Sequence, residues 1–360
     1  MKNTLQLKSG FAEVFGTELV VGKKYDFTCG SKIAVFTWQG CTLELLGKPE
    51  VSYVARETPM SIYLNCHIAM ETMREAAERE DSRGPVVMVV GPNDVGKSTL
   101  CKILLNYAAK VNRRPIYVDL DVGQGHISIP GTIGALLVER PSSLTDGFSQ
   151  QAPLVFHFGH KSPLDNVYLF NLLVLRLAEV CLDRFDASKK AKSSGTVINT
   201  CGCIKGDGYK MLTHAAKTFE VDTILVLDQE RLYNELVRDM PDFVKVIFLP
   251  KSGGVVERTK AQRTEACYQV IKEYFYGSRI PLYPHSFEVR WSEAKLFKIG
   301  VPVLPSSCLP AGMKSGDNFF TKLVPLAPAP NLLHHVFSVS FADSPEDDVV
   351  QTNIAGFVCV

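Results

Sequence analysis

No excess of either charge marks this chain: 39 Lys and Arg against 38 Asp and Glu leave +1 over 360 residues. A polyanion would therefore have to be held by a local patch, since the summed field would not hold it. No apolar run reaches the 18 residues that a membrane helix needs. The longest, residues 172–182, is broken by Arg176 and Glu179 and reads as a buried helix. The opening, Lys2-Asn3-Thr4, is polar and carries no charged-then-apolar leader, so secretion is not expected and the thiols are expected to stay reduced. Ten cysteines are dispersed, and the one close pair, Cys201 and Cys203, has neither a second pair nor a histidine at zinc-ligand spacing. No repeat of twenty to fifty residues is present. What remains is an ordinary folding composition, 46% hydrophobic and 21% charged, at a length that predicts two or three domains.

Three segments differ in pattern. Over residues 19–57 apolar side chains alternate (Ile33, Val35; Leu43, Leu45; Val51, Tyr53, Ala55), with turn signals between them, as in an antiparallel β domain. After Pro59 the period becomes helical, with Leu64, Ile68, Met73 and Ala76 on one face and Glu71, Arg74, Glu75, Glu78 and Arg79 elsewhere. From Gly84 to about Tyr276 six short apolar runs alternate with helical stretches, the arrangement of a parallel sheet wound by helices. Beyond Gly277, prolines at 281, 284, 302, 305 and 310 exclude long helices, while Phe287, Val289, Trp291 and residues 336–341 suggest strands. The expected boundaries are 1–58, 59–276 and 277–360. Residues 188–194, with Lys189, Lys190 and Lys192, read as a solvated loop, with nucleic-acid contact the lesser alternative.

The strongest chemical signal is GPNDVGKS at residues 91–98, which satisfies G-x-x-x-x-G-K-[ST] and lies between a strand and an amphipathic helix. Gly91 and Gly96 let consecutive backbone N–H groups turn inward at a helix N-terminus, a nest for a triphosphate. Lys97 supplies a cation for the β and γ oxygens, and the Ser98 hydroxyl suits a hydrated Mg²⁺. The next strand ends in Asp119 and Asp121, at the carboxyl edge where the triphosphate would sit. Asp121 is a candidate base for an incoming hydroxyl and a second metal contact, or an ordinary strand-end carboxylate. Asp119 is either a supporting group or half of a salt bridge. Downstream, a glycine pair at 253–254 followed by Arg258 and Arg263 suits a closing lid whose guanidiniums meet a transferring phosphoryl group, or simply a solvated helix start. No guanine-specificity motif and no transporter signature is present, which leaves a kinase-like transferase or a nucleotide-regulated scaffold.

Residues 91–99 (GPNDVGKST), 117–131 (YVDLDVGQGHISIPG), 199–202 (NTCG), 227–236 (LDQERLYNEL), 249–259 (LPKSGGVVERT) and 273–277 (EYFYG) together resemble the polyribonucleotide 5′-hydroxyl kinase family over nearly the whole chain. The resemblance implies an N-terminal β-sandwich, a central P-loop kinase domain and a C-terminal β domain. It also implies transfer of the ATP γ-phosphate to the 5′-hydroxyl of RNA, with Mg²⁺. It further implies a place in the nucleus, in mRNA 3′-end cleavage and polyadenylation and in tRNA splicing, beside a cleavage factor II scaffold subunit and the tRNA splicing endonuclease. Carried over by position, Gly91 and the run Asp94, Val95, Gly96, Lys97, Ser98 and Thr99 contact ATP. Lys32 of the first domain helps to hold it, Asp121 is the catalytic aspartate, and Arg258 and Arg263 are the lid arginines. Gln124 and Ser128 fall where the family grips the acceptor strand. Where the family places a tryptophan that stacks on the acceptor nucleotide, this chain has Cys203, a loss worth about 1 to 3 kcal/mol of RNA binding. The resemblance also leads one to expect earlier strands before Met1, with an acidic nucleotide contact, and further strands after residues 354–360. An active RNA kinase, an ATP-holding scaffold of the cleavage factor and a small-metabolite kinase all remain open at this point.

Overall fold

The computed structural model describes residues 3–27, 30–145, 147–149, 153–278, 280–300, 318–327 and 329–360. Alternation at the amino end builds two small sheets from β1 (Asn3–Gly10), β2 (Glu13–Val14), β3 (Thr17–Glu18), β4 (Lys24–Phe27), β5 (Val35–Phe36) and β6 (Cys41–Leu46). The orders β4-β1-β6 and β3-β2-β5 are antiparallel and enclose Leu5, Leu7, Val14, Leu19, Tyr25 and Phe27. β1 is signalled by Leu5 and Leu7 between Gln6 and Lys8, inside an opening that otherwise reads as polar. The strand expected at Val51, Tyr53 and Ala55 does not form. Val51 is 73% and Tyr53 65% exposed, and among the described residues no strand pairs with them, so alternation without a neighbouring ladder leaves extended chain.

Helix α1 (Met60–Glu80) buries Tyr63, Cys66, His67, Met70, Arg74 and Ala77, while Ile68 is exposed. The buried stripe is therefore rotated from the expected Leu64–Ile68 face. Arg74 is the reason: it is wholly buried, and a hydrophobicity ranking places it outside.

The central sheet comprises β7 (Val86–Val90), β8 (Ile116–Asp119), β9 (Thr132–Leu137), β10 (Leu154–His157), β11 (Thr196–Asn199), β12 (Thr223–Leu227) and β13 (Lys245–Leu249), in the order β10-β9-β8-β11-β7-β12-β13. Five strands, β8 to β13 in that order, run parallel, whereas β9 is antiparallel to both β8 and β10. The sheet is thus mixed and mostly parallel. β9 (TIGALL) went unrecognised because Gly134 and Ala135 dilute its apolar run. The interleaved helices are α2 (Lys97–Lys110), α3 (Val167–Ala187), α4 (Lys189–Ser194), α5 (Asp207–Thr218), α6 (Glu230–Asp239) and α7 (Lys260–Tyr276). α1 and α2 cover one face and α3, α5 and α6 the other, each over its own core. The valines of β7 are 0–2% exposed on both faces, as an interior parallel strand requires. β11 separates β7 from β8, so three carboxyl-terminal strand ends meet beside the turn that follows β7.

Residues 188–194 are not a loop. Ser188 caps α4, Ala191 is fully buried, and the three lysines bond Asp81 and Asn112 (Lys189 3.2 Å, Lys192 2.8 Å, Lys190 2.8 Å). Small residues let this polar-looking stretch pack, and the lysines are engaged by the protein. The apolar stretch at 172–182 lies within α3, and among the described residues no helix is long and apolar enough to cross a membrane.

Two hairpin-like pairs complete the described chain, β14 (Phe297–Ile299) with β15 (Leu323–Pro325) and β16 (Val336–Ser340) with β17 (Ile354–Cys359), with α8 (Asn318–Thr321) before β15. Phe287, Val289 and Trp291 form no strand; residues 291–293 make a single 3₁₀ turn. Prolines 302, 305 and 310 lie outside the described residues. Val350 and Ile354 enter the central cores, which ties this end to the sheet.

Candidate active site

The turn after β7 has the backbone its glycines predict. Gly91 and Gly96 have φ of 153° and 94°, and Asp94 between them has φ of 56°. This alternation aims N–H groups at one point in front of α2. A Cβ on Gly91 would stand 2.8 Å from the Leu227 carbonyl oxygen. Val95 is buried beneath the turn and Thr99 is half-buried in the first turn of α2. Lys97 is 7% exposed and folds back so that Nζ donates to the Pro92 carbonyl at 2.7 Å. Burial lowers its pKa, and the charge of Asp121 opposes that shift.

The end of β8 supplies two carboxylates with different duties. Asp119 accepts from Asn199 Nδ2 (2.9 Å) and the Asp121 backbone N–H (3.2 Å) on one oxygen, and from the His126 N–H (2.9 Å) on the other. It is a supporting group, not half of a salt bridge among the described residues. Asn199 in turn accepts from Ser98 Oγ at 3.5 Å. Asp121 is 7% exposed and accepts from the Gly123 N–H at 3.1 Å. Burial raises its pKa, the charge of Asp119 adds to this, and His126 and Lys97 oppose it. Asp121 thus lies on the lysine's side of the sheet, within reach of its field. A carboxyl with a raised pKa is the more effective proton acceptor.

The segment after β13, the expected lid, arrives from the far edge. Tyr63 Oη donates to the Pro250 carbonyl at 3.2 Å, and Val255 lies over Gly96. α7 is opened by a capping box between Thr259 and Gln262. Arg258 and Arg263 both reach into the phosphate turn and meet Asp94: Arg258 Nε at 2.9 Å, the Arg258 backbone N at 3.0 Å and Arg263 Nη2 at 2.6 Å. Arg258 Nη2 also donates to Gln124 Oε1 at 2.8 Å. Burial alone would raise the Asp94 carboxyl, but hydrogen bonds from the Arg258 backbone and from both guanidiniums hold it down at about 2. Both arginines are thus held by Asp94, although α7 itself buries none of its residues.

Gln124 therefore faces the lid. Ser128 is half-buried, its carbonyl packed under Gly125 so closely that a Cβ there would come within 2.3 Å. Lys32 is exposed in the loop between β4 and β5, and no hydrogen bond or ion pair joins it to the phosphate turn among the described residues. Cys203 is half-buried. The hydrogen bond from the Cys201 thiol, against the effect of burial, lowers its pKa to about 7, while Cys201 is pushed well up. Alkylation of Cys203 by iodoacetamide is accordingly expected to rise with pH through a midpoint at about 7, as the thiolate fraction grows. Peptide mass spectrometry would check this, and a midpoint at about 9 would show that the pair is not bonded.

The sequence reading overlooked Asn199, which joins Ser98 to Asp119, and Tyr63, which holds the lid's root. Asn199 opens the NTCG run, which by itself assigns it no bond, Tyr63 stands in no motif, and both bonds cross large sequence gaps. Among the described residues no group of three or more His, Cys, Asp or Glu could cage a metal ion. The donor set, one hydroxyl (Ser98) beside carboxylates, suits a cation that takes most of its ligands from phosphates and water.

Comparison with known proteins covers the chain almost from end to end. Residues 91–277 match the family described as mRNA cleavage and polyadenylation factor CLP1 P-loop. Residues 1–77 match the N-terminal beta-sandwich domain of polyadenylation factor, and residues 282–360 the pre-mRNA cleavage complex II protein Clp1. A protein CLP1 homolog of Culex quinquefasciatus is 62% identical over 359 residues, covering 100% of this chain and 85% of the relative. The polyribonucleotide 5′-hydroxyl-kinase Clp1 of Gallus gallus is 57% identical over 356 residues, covering 99% of this chain and 84% of its own length. Among solved structures, the wild-type Clp1p–Pcf11p (454–563) complex superposes with a TM-score of 0.82 at 25% identity, over 99% of this chain and 85% of that one.

Proposed function

The chain belongs to the Clp1 family of pre-mRNA cleavage complex II proteins, and from that premise we propose that it is an ATP-dependent kinase of RNA 5′-hydroxyl ends. The observation that carries this reading is convergence: Asp94 holds both arginines on the turn that bears Lys97, and the charge of the buried Asp121 acts on that lysine. The three domains and their 1–58, 59–276 and 277–360 boundaries belong to the same proposal.

In this reading the turn at Gly91, Asp94, Val95, Gly96 and Thr99 binds the phosphates through backbone N–H groups and the N-terminus of α2. Lys97 leaves the Pro92 carbonyl to meet the transferring group, since an ammonium already spent on a carbonyl gives it little. Asp121 accepts the proton of the RNA 5′-hydroxyl as its oxygen bonds to the γ-phosphorus and the bond from phosphorus to the ADP oxygen breaks. Ser98 and Asp121 would hold Mg²⁺, which when bound neutralises phosphate charge. Arg258 and Arg263 receive the charge that builds on the equatorial oxygens. Lys32 reaches the nucleotide from the first domain, and Ser128, Gln124 and Cys203 border the acceptor's path. The proposal extends to nuclear work in mRNA 3′-end cleavage and in tRNA splicing, beside a cleavage factor II scaffold subunit and the tRNA splicing endonuclease; the cleavage part is supported by the family description and by the Clp1p–Pcf11p complex among solved structures.

A second reading, an ATP-holding scaffold, is favoured by one residue: Cys203 offers no aromatic platform at the turn after β11. A single assay decides between the two. With γ-labelled ATP, the expected result is label on 5′-hydroxyl RNA, less on DNA and nucleosides, and none on 5′-phosphorylated RNA. ATP retained with every acceptor unlabelled would leave only the scaffold.

A further inference from the structure

We infer that Asp94 is the positioning residue of the lid: from within the phosphate turn its carboxylate fixes both arginine forks before nucleotide arrives, and so sets how fast phosphate is transferred. The inference deepens the kinase reading and rests on it for its consequence in turnover, but the anchoring itself does not.

The geometry is unusually complete for one carboxylate. Asp94 has a 4% exposed side chain and accepts three N–H groups from residues 164 and 169 positions away. One is a backbone N–H, so the lid's main chain is tied down along with its side chains. Each guanidinium is only partly consumed. Arg258 gives Nε to Asp94 and Nη2 to Gln124, Arg263 gives Nη2 to Asp94, and Arg263 Nε is buried with no partner among the described residues. Donors are thus left over on both forks while their planes are fixed. Arginine carries much rotamer freedom, and spending it in the resting protein spares that cost at the moment of transfer.

The charge balance argues that the Asp94 carboxylate, unlike its backbone N–H, does not serve nucleotide binding. A turn built for a polyanion gains nothing from an anion in its rim, and Arg258, Arg263 and Asp94 together carry +1 where the arginines alone would carry +2. Removing the Asp94 charge should therefore hold or tighten ATP while loosening the arginines. Binding and turnover then move apart, a signature that simple damage to the fold would not give.

Asp94→Asn is the suitable variant, because asparagine tolerates the φ of 56° and keeps the shape. In the full chain without nucleotide, trypsin should cut after Arg258, Lys260 or Arg263 about ten-fold faster than in wild type, since opening of the lid exposes these bonds. With ATP and 5′-hydroxyl RNA, kcat should fall about ten-fold, with the KM for ATP unchanged or lower. Unaltered cleavage would overturn the anchor. Unaltered or raised kcat with faster cleavage would overturn the positioning role, making Asp94 a brake instead. A wild-type chain that labels no acceptor would defeat the kinase reading, while the cleavage comparison would still decide whether Asp94 holds the lid.

Discussion

Asp121→Asn is expected to lower kcat for RNA phosphorylation by about 10²- to 10⁴-fold, the range that a positioned general base contributes. The amide keeps the shape and can still accept from the Gly123 N–H, but it cannot take a proton. Stability should move the other way. Burial, and then the negative charge of Asp119, raise the Asp121 pKa, so the ionised form is the one the fold tolerates least. A group whose pKa is raised on folding is stabilising only while protonated, and it costs stability as pH climbs past the unfolded value. The neutral asparagine escapes that cost and should melt no lower than wild type at pH 7. In the parent enzyme kcat should climb with pH as Asp121 ionises, and this limb should vanish in the variant. Steady-state kinetics over a pH series, with melting curves of both proteins, measure all of this; a variant within five-fold of wild type would exclude Asp121 as the base.

Arg74→Ala is expected to cost about 2 to 4 kcal/mol of stability, through a lost charge-assisted hydrogen bond and an unfilled volume. Arg74 is 0% exposed; its Nε donates to the Ser194 carbonyl at 2.9 Å and its Nη1 meets Glu71 at 3.3 Å. It pins α1 to the end of α4. Glu71 would not be stranded, because Arg113 holds it at 2.5 Å, and this keeps the loss below that of a bared buried ion. Arg74→Met, which fills the space, should lose about half as much. In thermal melts the alanine variant should drop by on the order of 4 to 16 °C for a domain of this size. A drop under 2 °C would mean that water or local rearrangement replaces the side chain.

The sequence carried the phosphate turn in full, because its chemistry is local: glycines, lysine and serine act within eight residues of one another. The place of Asp121 was legible for the same reason, just past a strand end marked by its apolar run, while its role belongs to the proposal. The lid arginines were visible as candidates only, since the contact that defines them, Asp94, lies 164 residues away from Arg258. The bonds of Asn199 and Tyr63 were hidden, the first inside a quoted motif, because one hydrogen bond across the fold leaves no pattern. Among the elements, the errors fell where burial contradicts residue type: Arg74 inside, Tyr53 outside, and α4 packing on alanine and serine beneath its lysines. β9 was missed because small residues make a strand without advertising it.

Gly202 has one more consequence. A methyl group there would stand 2.0 Å from Asn93 Oδ1 and 2.7 Å from the Asn93 backbone nitrogen, so the segment after β11, which bears Cys203, rests directly on the phosphate turn. In the proposed kinase an acceptor seated beside Cys203 would press on the turn that seats ATP, and any coupling between the two would be reciprocal.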